Sequence, residues 1–257
     1  MVAILLLFAV AGPLLVGADP NAQDLPGRLA PPGESGPLGT DHLGRDLFSR
    51  VAHGARLSIA VSLAALGASL ALGVAAGLLA GYFKGVWDGA VSFAIEVFLA
   101  FPGIILVLAI VAIVGGGVLN AAAAVCLVTW PGYARMVRGA VLSLVGQDFV
   151  KAARISGSGD LRILWRQILP NLRGPVIIFS ATNLSAIMIQ LAGLSFLGFG
   201  VGSPTAEWGA MLSEARGYIT TAPWLTIAPG AALVFTVIGF NLLGEGLATH
   251  LGKGKSA

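Results

Sequence analysis

The stretch LSIAVSLAALGASLALGVAAGLL, residues 57–79, runs 23 positions without a charged side chain. A helix rises about 1.5 Å per residue, so about 20 mostly apolar residues cross the hydrocarbon core of a bilayer. Residues 57–79 meet that requirement. Outward from them, further apolar runs lie at 2–16, 91–114, 121–141, 176–199 and 225–247. They are apolar all round, whereas a transmembrane β-barrel strand alternates polar and apolar positions. The pattern predicts six membrane helices, with Pro102 and Pro131 inside the third and fourth as tolerated kinks.

Composition agrees. Of the 257 residues 56 % are apolar and only 11 % charged, against roughly 25 % charged in a soluble domain. The mean hydropathy is +0.89. A water-soluble globule is excluded, and a formal charge of only +3 with so much apolar content excludes intrinsic disorder. The single Cys126 rules out a disulfide within the chain and reads as a small packing residue. His42, His53 and His250 are too scattered to suggest a metal centre.

Orientation follows from lysine and arginine. One set of connections holds ten basic residues (Lys84, Arg135, Arg138, Lys151, Arg154, Arg162, Arg166, Arg173, Lys253, Lys255) against Asp88, Asp148 and Asp160. The other holds five (Arg28, Arg45, Arg50, Arg56, Arg216) diluted by seven carboxylates. The positive-inside rule places the first set in the cytoplasm, with both termini cytoplasmic and the Pro- and Gly-rich segment 19–56 outside. The first span, 1–18, lacks a basic lead-in and ends in small residues before Asp19, as a signal peptide does. A lead-in lost by truncation or choice of start codon is the preferred reading.

Residues 142–173 do not read as an ordinary loop. Phe149, Ala152, Ala153 and Ser156 fall at helical spacing, and Ser156 to Gly159 form a break. Asp160 then offers an N-cap for a second helix with an apolar stripe of Leu161, Leu164, Trp165 and Ile168. Pro170 is expected to stop that helix. A basic amphipathic pair of this kind suits either an anionic lipid surface or the groove of a cytoplasmic partner, and the pattern alone leaves both open.

The string DFVKAARISGSGDLRILWRQILPN, residues 148–171, resembles the EAA loop of bacterial ABC-importer permeases. Ala152, Ala153, Gly157, Ile168, Leu169 and Pro170 fit that pattern at its spacing, and Lys151 stands where the family usually has Glu. The strings LGTDHLGRDLFSRVAHGARLSI (38–59), VFLAFPGIILVLAIVAIVG (97–115), TWPGYARMVRGAVLSL (129–144), LSFLGFGV (194–201), TAEWGAML (205–212), TAPWLTIAPG (221–230) and FNLLGEGL (240–247) resemble the C-type permease subunit of dipeptide and oligopeptide importers. The resemblance covers about residues 37–250. It implies an all-α permease fold with the core at 57–250 and a cytoplasmic tail at 251–257, in a bacterial inner membrane. It also implies a second, different permease subunit, two ATPase subunits or one two-domain ATPase seated on the EAA loop, and an extracytoplasmic binding protein. ATP and Mg would be bound by the ATPases, and no nucleic acid is involved. Lys151, Ala152, Ala153, Gly157, Asp160, Ile168, Leu169 and Pro170 are the expected coupling residues. Nickel importers have similar permeases, so nickel or a nickel chelate is the alternative cargo.

The string Gly254, Lys255, Ser256 lacks the earlier glycine of a phosphate-binding loop, because Thr249 stands there. An intramembrane serine protease built on Ser195 and His250 is disfavoured, since the predicted topology puts them at opposite membrane faces, whereas a nucleophile and its base meet at about 3 Å. A non-transporting scaffold is the other alternative.

Polar residues within spans point to function by default. Glu96 and Glu245 lie toward the cytoplasmic ends of their spans. Ser180, Asn183 and Gln190 share a helix face, and Asn241 and Glu245 are one turn apart. These six are candidates for lining or gating a pathway, with interhelical hydrogen bonding or snorkelling as the plainer roles. Outside, Asp41, Arg45, Asp46 and Arg50 have the spacing of a short surface helix knitted by ion pairs. Asp41, Arg45, Asp46, Glu207 and Trp208 are the candidates for meeting the binding protein.

Overall fold

The computed structural model describes residues 2–17 and 19–253, with side chains at 7–13, 16–17 and 19–250. Residues 254–257, with Lys255 and the Gly254 to Ser256 string, lie outside the described residues, as do Met1, Ala18 and the side chain of Lys253. The described chain is helical, with no strand beyond one isolated bridge between Thr40 and Asp46. In order the helices are α1 (Val2–Val16), α2 (Leu47–Phe83), α3 (Gly85–Leu99), α4 (Gly103–Val114), α5 (Val118–Val145), α6 (Asp148–Ile155), α7 (Asp160–Ile163), α8 (Leu169–Phe196), α9 (Trp208–Ala215) and α10 (Trp224–Lys253).

Three stretches are long and apolar enough to cross a membrane: Leu47–Phe83, Asp160–Phe196 and Trp224–His250. They contain the predicted second and sixth spans and the predicted fifth as far as Phe196. The predicted third span is not one rod, because α3 and α4 meet at a 91° bend. Pro102 sits in that break, lacking an N–H and forcing its predecessor out of the helical region. Counted as one broken span, the pair makes a fourth. The 15-residue α1 is short. In α5, Asn120, Trp130, Pro131, Gly132, Arg135 and Arg138 dilute the apolar run, yet Ala124, Val125, Tyr133, Ala134, Val137 and Val141 are fully buried. An interior helix covered by its neighbours has no need of a lipid-like surface.

Pro170 does not end a helix. α7 passes through a π turn at Leu164–Ile168 directly into α8, and the Leu169 N–H bonds to the Leu164 carbonyl five residues back. The widened turn displaces the ladder just before the residue that has no donor to contribute, so the chain continues as one 37-residue helix.

The chain divides into two compact units. One comprises residues 1–65, 108–125 and 184–243 and the other residues 66–107, 126–183 and 244–257. In the second unit α2 lies against α5 along Gly73, Gly77 and Gly81, spaced four residues apart. A Cβ on Gly77 would fall 2.7 Å from the Ala134 carbonyl oxygen, and one on Gly81 2.8 Å from Val141 Cβ. Only glycine permits that approach, the small-residue packing by which membrane helices associate.

Candidate functional site

The EAA-like segment is fastened to the second unit by an apolar cluster. Val150 of α6, Ile163 of α7, Leu164 and Ile168 of the π turn and Leu172 of α8 are buried with Tyr82, Val137 and Val141. Each such aliphatic side chain stabilises the fold by about 1.5–3 kcal/mol, so the cluster dominates the attachment. Polar contacts orient it. The Tyr82 hydroxyl donates to Asp160 Oδ1 at 2.6 Å and accepts from Arg154 Nη2 at 3.4 Å, with the guanidinium 5.8 Å from the Tyr82 ring centroid. By accepting from it, the Tyr82 hydroxyl holds the Arg154 pKa above its ordinary value. One tyrosine at the end of α2 thus touches both arms of the segment. Asp160 is not the expected N-cap: Gly159 occupies that position, and the Asp160 carboxylate is taken by Tyr82.

Between α6 and α7 the chain reverses at Gly157, whose φ of +78° favours glycine. Ser156 Oγ donates to the Ala152 carbonyl at 2.9 Å, and Lys151 pairs with Asp148 at 3.0 Å in solvent. The expected stripes are split by the structure. On α6, Val150 turns inward while Phe149, Ala152 and Ser156 are exposed. In the second helix Leu164 and Ile168 are buried, whereas Leu161 is 72 % and Trp165 69 % exposed. With Ile155 at 87 %, the segment presents a second apolar face outward. Of these, Leu161 and Trp165 stand one helical turn apart on the same side.

Nearby, Asp88 of α3 accepts from both Nε and Nη2 of Arg138 on α5, the latter at 3.0 Å. Glu96 is exposed and borders a small recess with Ser92, Arg135 and Arg138. The Asn183 amide donates to the Phe179 carbonyl of its own helix at 2.9 Å. Ser180 and Gln190 are half-buried, and Asn241 and Glu245 are exposed. A hydrogen bond between helices comes instead from Ser185, which donates to the Val237 carbonyl at 3.1 Å.

In the first unit the residues expected to meet a binding protein form a buried assembly, not a surface helix. Arg45 and Arg50 are 0 % and 1 % exposed. Arg45 Nε donates to Asp41 Oδ2 at 2.6 Å, and its Nη2 reaches Glu214 Oε2 at 2.8 Å. Arg50 Nη2 reaches the same Glu214 oxygen at 3.2 Å. The spacing that suggested exposed i, i+4 pairs instead folds residues 41–46 into a turn ahead of α2, which Asp46 caps by accepting from the Phe48 N–H at 2.9 Å. Glu207 caps α9, accepting from the Gly209 and Ala210 N–H groups at 3.0 and 2.9 Å and from Ser58 Oγ at 3.0 Å. Trp208 lies over Gly54 and donates from Nε1 to the Val51 carbonyl at 3.0 Å. Asp41, His42 and Glu214 approach within 4.8 Å of one another, but the two carboxylates are already neutralised by Arg45 and Arg50. Asp41, Arg45, Glu207 and Trp208 therefore hold this part of the first unit together from inside, and only Asp46 of the five is half-exposed.

Sequence reading missed Tyr82 and the three glycines. The glycine spacing was visible as a small-residue repeat, and Tyr82 was the one hydroxyl-bearing ring closing an otherwise apolar run.

Residues 73–256 match the family model described as binding-protein-dependent transport system inner membrane component. The nickel transport system permease protein NikC of Escherichia coli K12 is 40 % identical over 98 % of this chain and 91 % of its own length. The di/tripeptide transport system permease protein DppC of Pseudomonas aeruginosa is 40 % identical over 95 % and 82 %. The glutathione transport system permease protein GsiD of Shigella flexneri is 46 % identical over 83 % and 71 %. Among solved structures, an inward-facing form of the MetNI methionine ABC transporter superposes with a TM-score of 0.63 at 19 % identity, covering 78 % of this chain and 95 % of that one. This last likeness is one of fold.

Proposed function

The chain belongs to the family of binding-protein-dependent transport system inner membrane components, and on that premise we propose that it forms half of the translocation pathway of an ATP-driven peptide importer. It is a multi-pass membrane subunit and a transport component. In the proposed assembly a second, different permease supplies the other half. Two cytoplasmic ATPase domains bind and hydrolyse MgATP, and an extracytoplasmic protein delivers a dipeptide or oligopeptide. The six-span topology with cytoplasmic termini is part of this proposal, supported by the basic residues concentrated around 148–173.

One observation carries the coupling role: α6, α7 and the π turn bury one apolar face in the bundle and leave Ile155, Leu161 and Trp165 exposed. A partner covering the outer face and moving would drag the inner face with it, and α7 is continuous with α8, so the movement enters a membrane helix without an intervening hinge. Lys151, Ala152, Ala153, Gly157, Asp160, Ile168, Leu169 and Pro170 shape this element. Glu96, Ser180, Asn183, Gln190, Asn241 and Glu245 remain the proposed pathway and gate residues, and Asp46 remains a proposed contact for the binding protein.

Peptide is the preferred cargo because relatives named for dipeptides, di/tripeptides and glutathione match along most of the chain. Nickel is the second reading, since the nickel permease matches as well. Proteoliposomes holding the complete importer and its binding protein are expected to take up labelled dipeptide on addition of MgATP. ATP-dependent uptake of nickel-63 with no peptide uptake would establish the nickel reading instead.

A further inference from the structure

A long groove runs along the second unit between the second half of α2 and the start of α8, enclosing about 1110 Å³ including its open mouth. Its walls are Leu70, Ala71, Val74, Ala75 and Leu78 on one side and Leu164, Leu169, Leu172 and Val176 on the other. Two of its lining residues differ in kind, Trp165 and Arg173, and both are exposed. Arg173 makes no ion pair among the described residues.

The groove's chemistry is graded. Arg173 stands between Leu172 and Val176, about 12 Å along the same continuous helix from Trp165, and a helical side chain leans toward the N-terminal, Trp165 side. The indole thus lies at the Leu164 end of the groove and the cation between it and Val176. The lining at Leu70, Ala71, Val74 and Val176 is aliphatic, and both walls of the groove belong to stretches apolar enough to be in the membrane. Tryptophan favours the headgroup level of a bilayer, and basic pockets between membrane helices bind anionic headgroups. An unpaired guanidinium above an apolar trough matches a molecule with a phosphate at one end and a hydrocarbon chain at the other.

We propose that this groove is a binding site for one anionic phospholipid, its phosphate on Arg173 toward the Trp165 side and an acyl chain along Leu172, Val176, Val74 and Ala71. The site rests on the chain being a membrane subunit and is independent of its cargo. The lipid fills a trough that α2 and α8 leave open beside the EAA-like segment, so it bears on the point where that segment enters α8.

The test uses the complete importer in nanodiscs of equal phosphatidylglycerol and phosphatidylcholine, doped with a photoactivatable analogue of one or the other. Crosslinked peptides are mapped by mass spectrometry. The phosphatidylglycerol analogue is expected to label the 70–78 and 164–176 peptides in preference to the phosphatidylcholine analogue. Arg173→Gln should lower that labelling about fivefold, the worth of one basic residue at an anionic surface. Ala75→Trp, which fills the trough, should abolish it. Co-elution with the partner subunits confirms that each variant is assembled. Equal labelling by both analogues, unchanged in Arg173→Gln, means annular lipid only and overturns the proposal. So does an absence of groove labelling in the wild-type complex, or a disulfide from Ala75→Cys to a partner permease that shows the trough to be a subunit interface.

Discussion

Tyr82 and Arg45 carry polar contacts of very different weight. The Tyr82 hydroxyl meets an exposed carboxylate, and water replaces it at Asp160 if it is lost. Tyr82→Phe should therefore lower stability by only about 0.5–1.5 kcal/mol, within reach of a thermal melt of the purified complex. Its larger expected effect is on coupling, because α7 loses its directional tie to α2 while the apolar cluster stays intact: uptake per ATP hydrolysed should fall. A variant with wild-type stoichiometry would assign Tyr82 to packing alone. Arg45 is buried against Asp41 and Glu214. Removing its charge strands carboxylates in the interior, a loss of about 3–5 kcal/mol where one member of a buried pair is deleted. Arg45→Met should lower the melting temperature well beyond Tyr82→Phe, and a change inside measurement error would show that water reaches the cluster. Sequence spacing could not reveal this burial, since Asp41, Arg45, Asp46 and Arg50 read equally well as a solvated helix face. Their inward direction depends on α9 bringing Glu214 to the same place from about 170 residues away.

Among the elements, the α2 contact with α5 is where a single methyl group has least room. Gly77→Ala places Cβ 2.7 Å from a carbonyl oxygen, and backbone yields less readily than a side chain. Overpacking of this kind costs about 1–3 kcal/mol, and Gly77→Leu should exceed it and reduce recovery of assembled complex. Ala at Gly67, where nothing lies within 4 Å, is the matched control and should leave recovery unchanged. Equal recovery for Gly77→Leu and the control would mean that the helices part without consequence. The positions of the apolar helices at 57–79, 176–199 and 225–247 were legible, because an uncharged apolar run of about 20 residues matches the thickness of a bilayer and exceeds what a soluble core needs. Two features were not. The run 91–114 carries a single charge, at Glu96 near its start, so nothing in its hydropathy distinguishes a straight span from the 91° bend at Pro102. Pro170 reads as a stop under local rules, and only the π turn beneath it shows how the helix survives. In the EAA-like segment the helices were legible from their period, but apolar residues occupy two faces of each, and the bundle decides which of them is inside.

For the whole molecule, function depends on whether movement at 148–163 reaches the membrane helices or dissipates. The attachment surface is a continuous apolar cluster around fully buried Ile163, Ile168 and Leu172, and a close-packed interface transmits displacement because its members lack alternative positions. The outer face has opposite properties: Ile155 and Leu161 touch little and contribute little to the fold. Ile155→Asp and Leu161→Asp should therefore leave the permease folded, within about 0.5 kcal/mol as for surface substitutions generally, while weakening its hold on the proposed ATPase. A buried apolar anchor is typically worth about 2 kcal/mol or more at an interface, at about tenfold in affinity per 1.4 kcal/mol. The double variant should thus lose roughly a hundredfold or more in ATPase affinity, measured by titrating the purified ATPase onto permease in nanodiscs. Val150→Asp places the same charge on the inner face of α6 and should behave differently, disordering the segment and lowering the melting temperature of the permease alone. If both variants unfold the permease, the outer face is structural after all. If the double variant binds ATPase as wild type does, the ATPase seats elsewhere and α6 and α7 are not the transmission element.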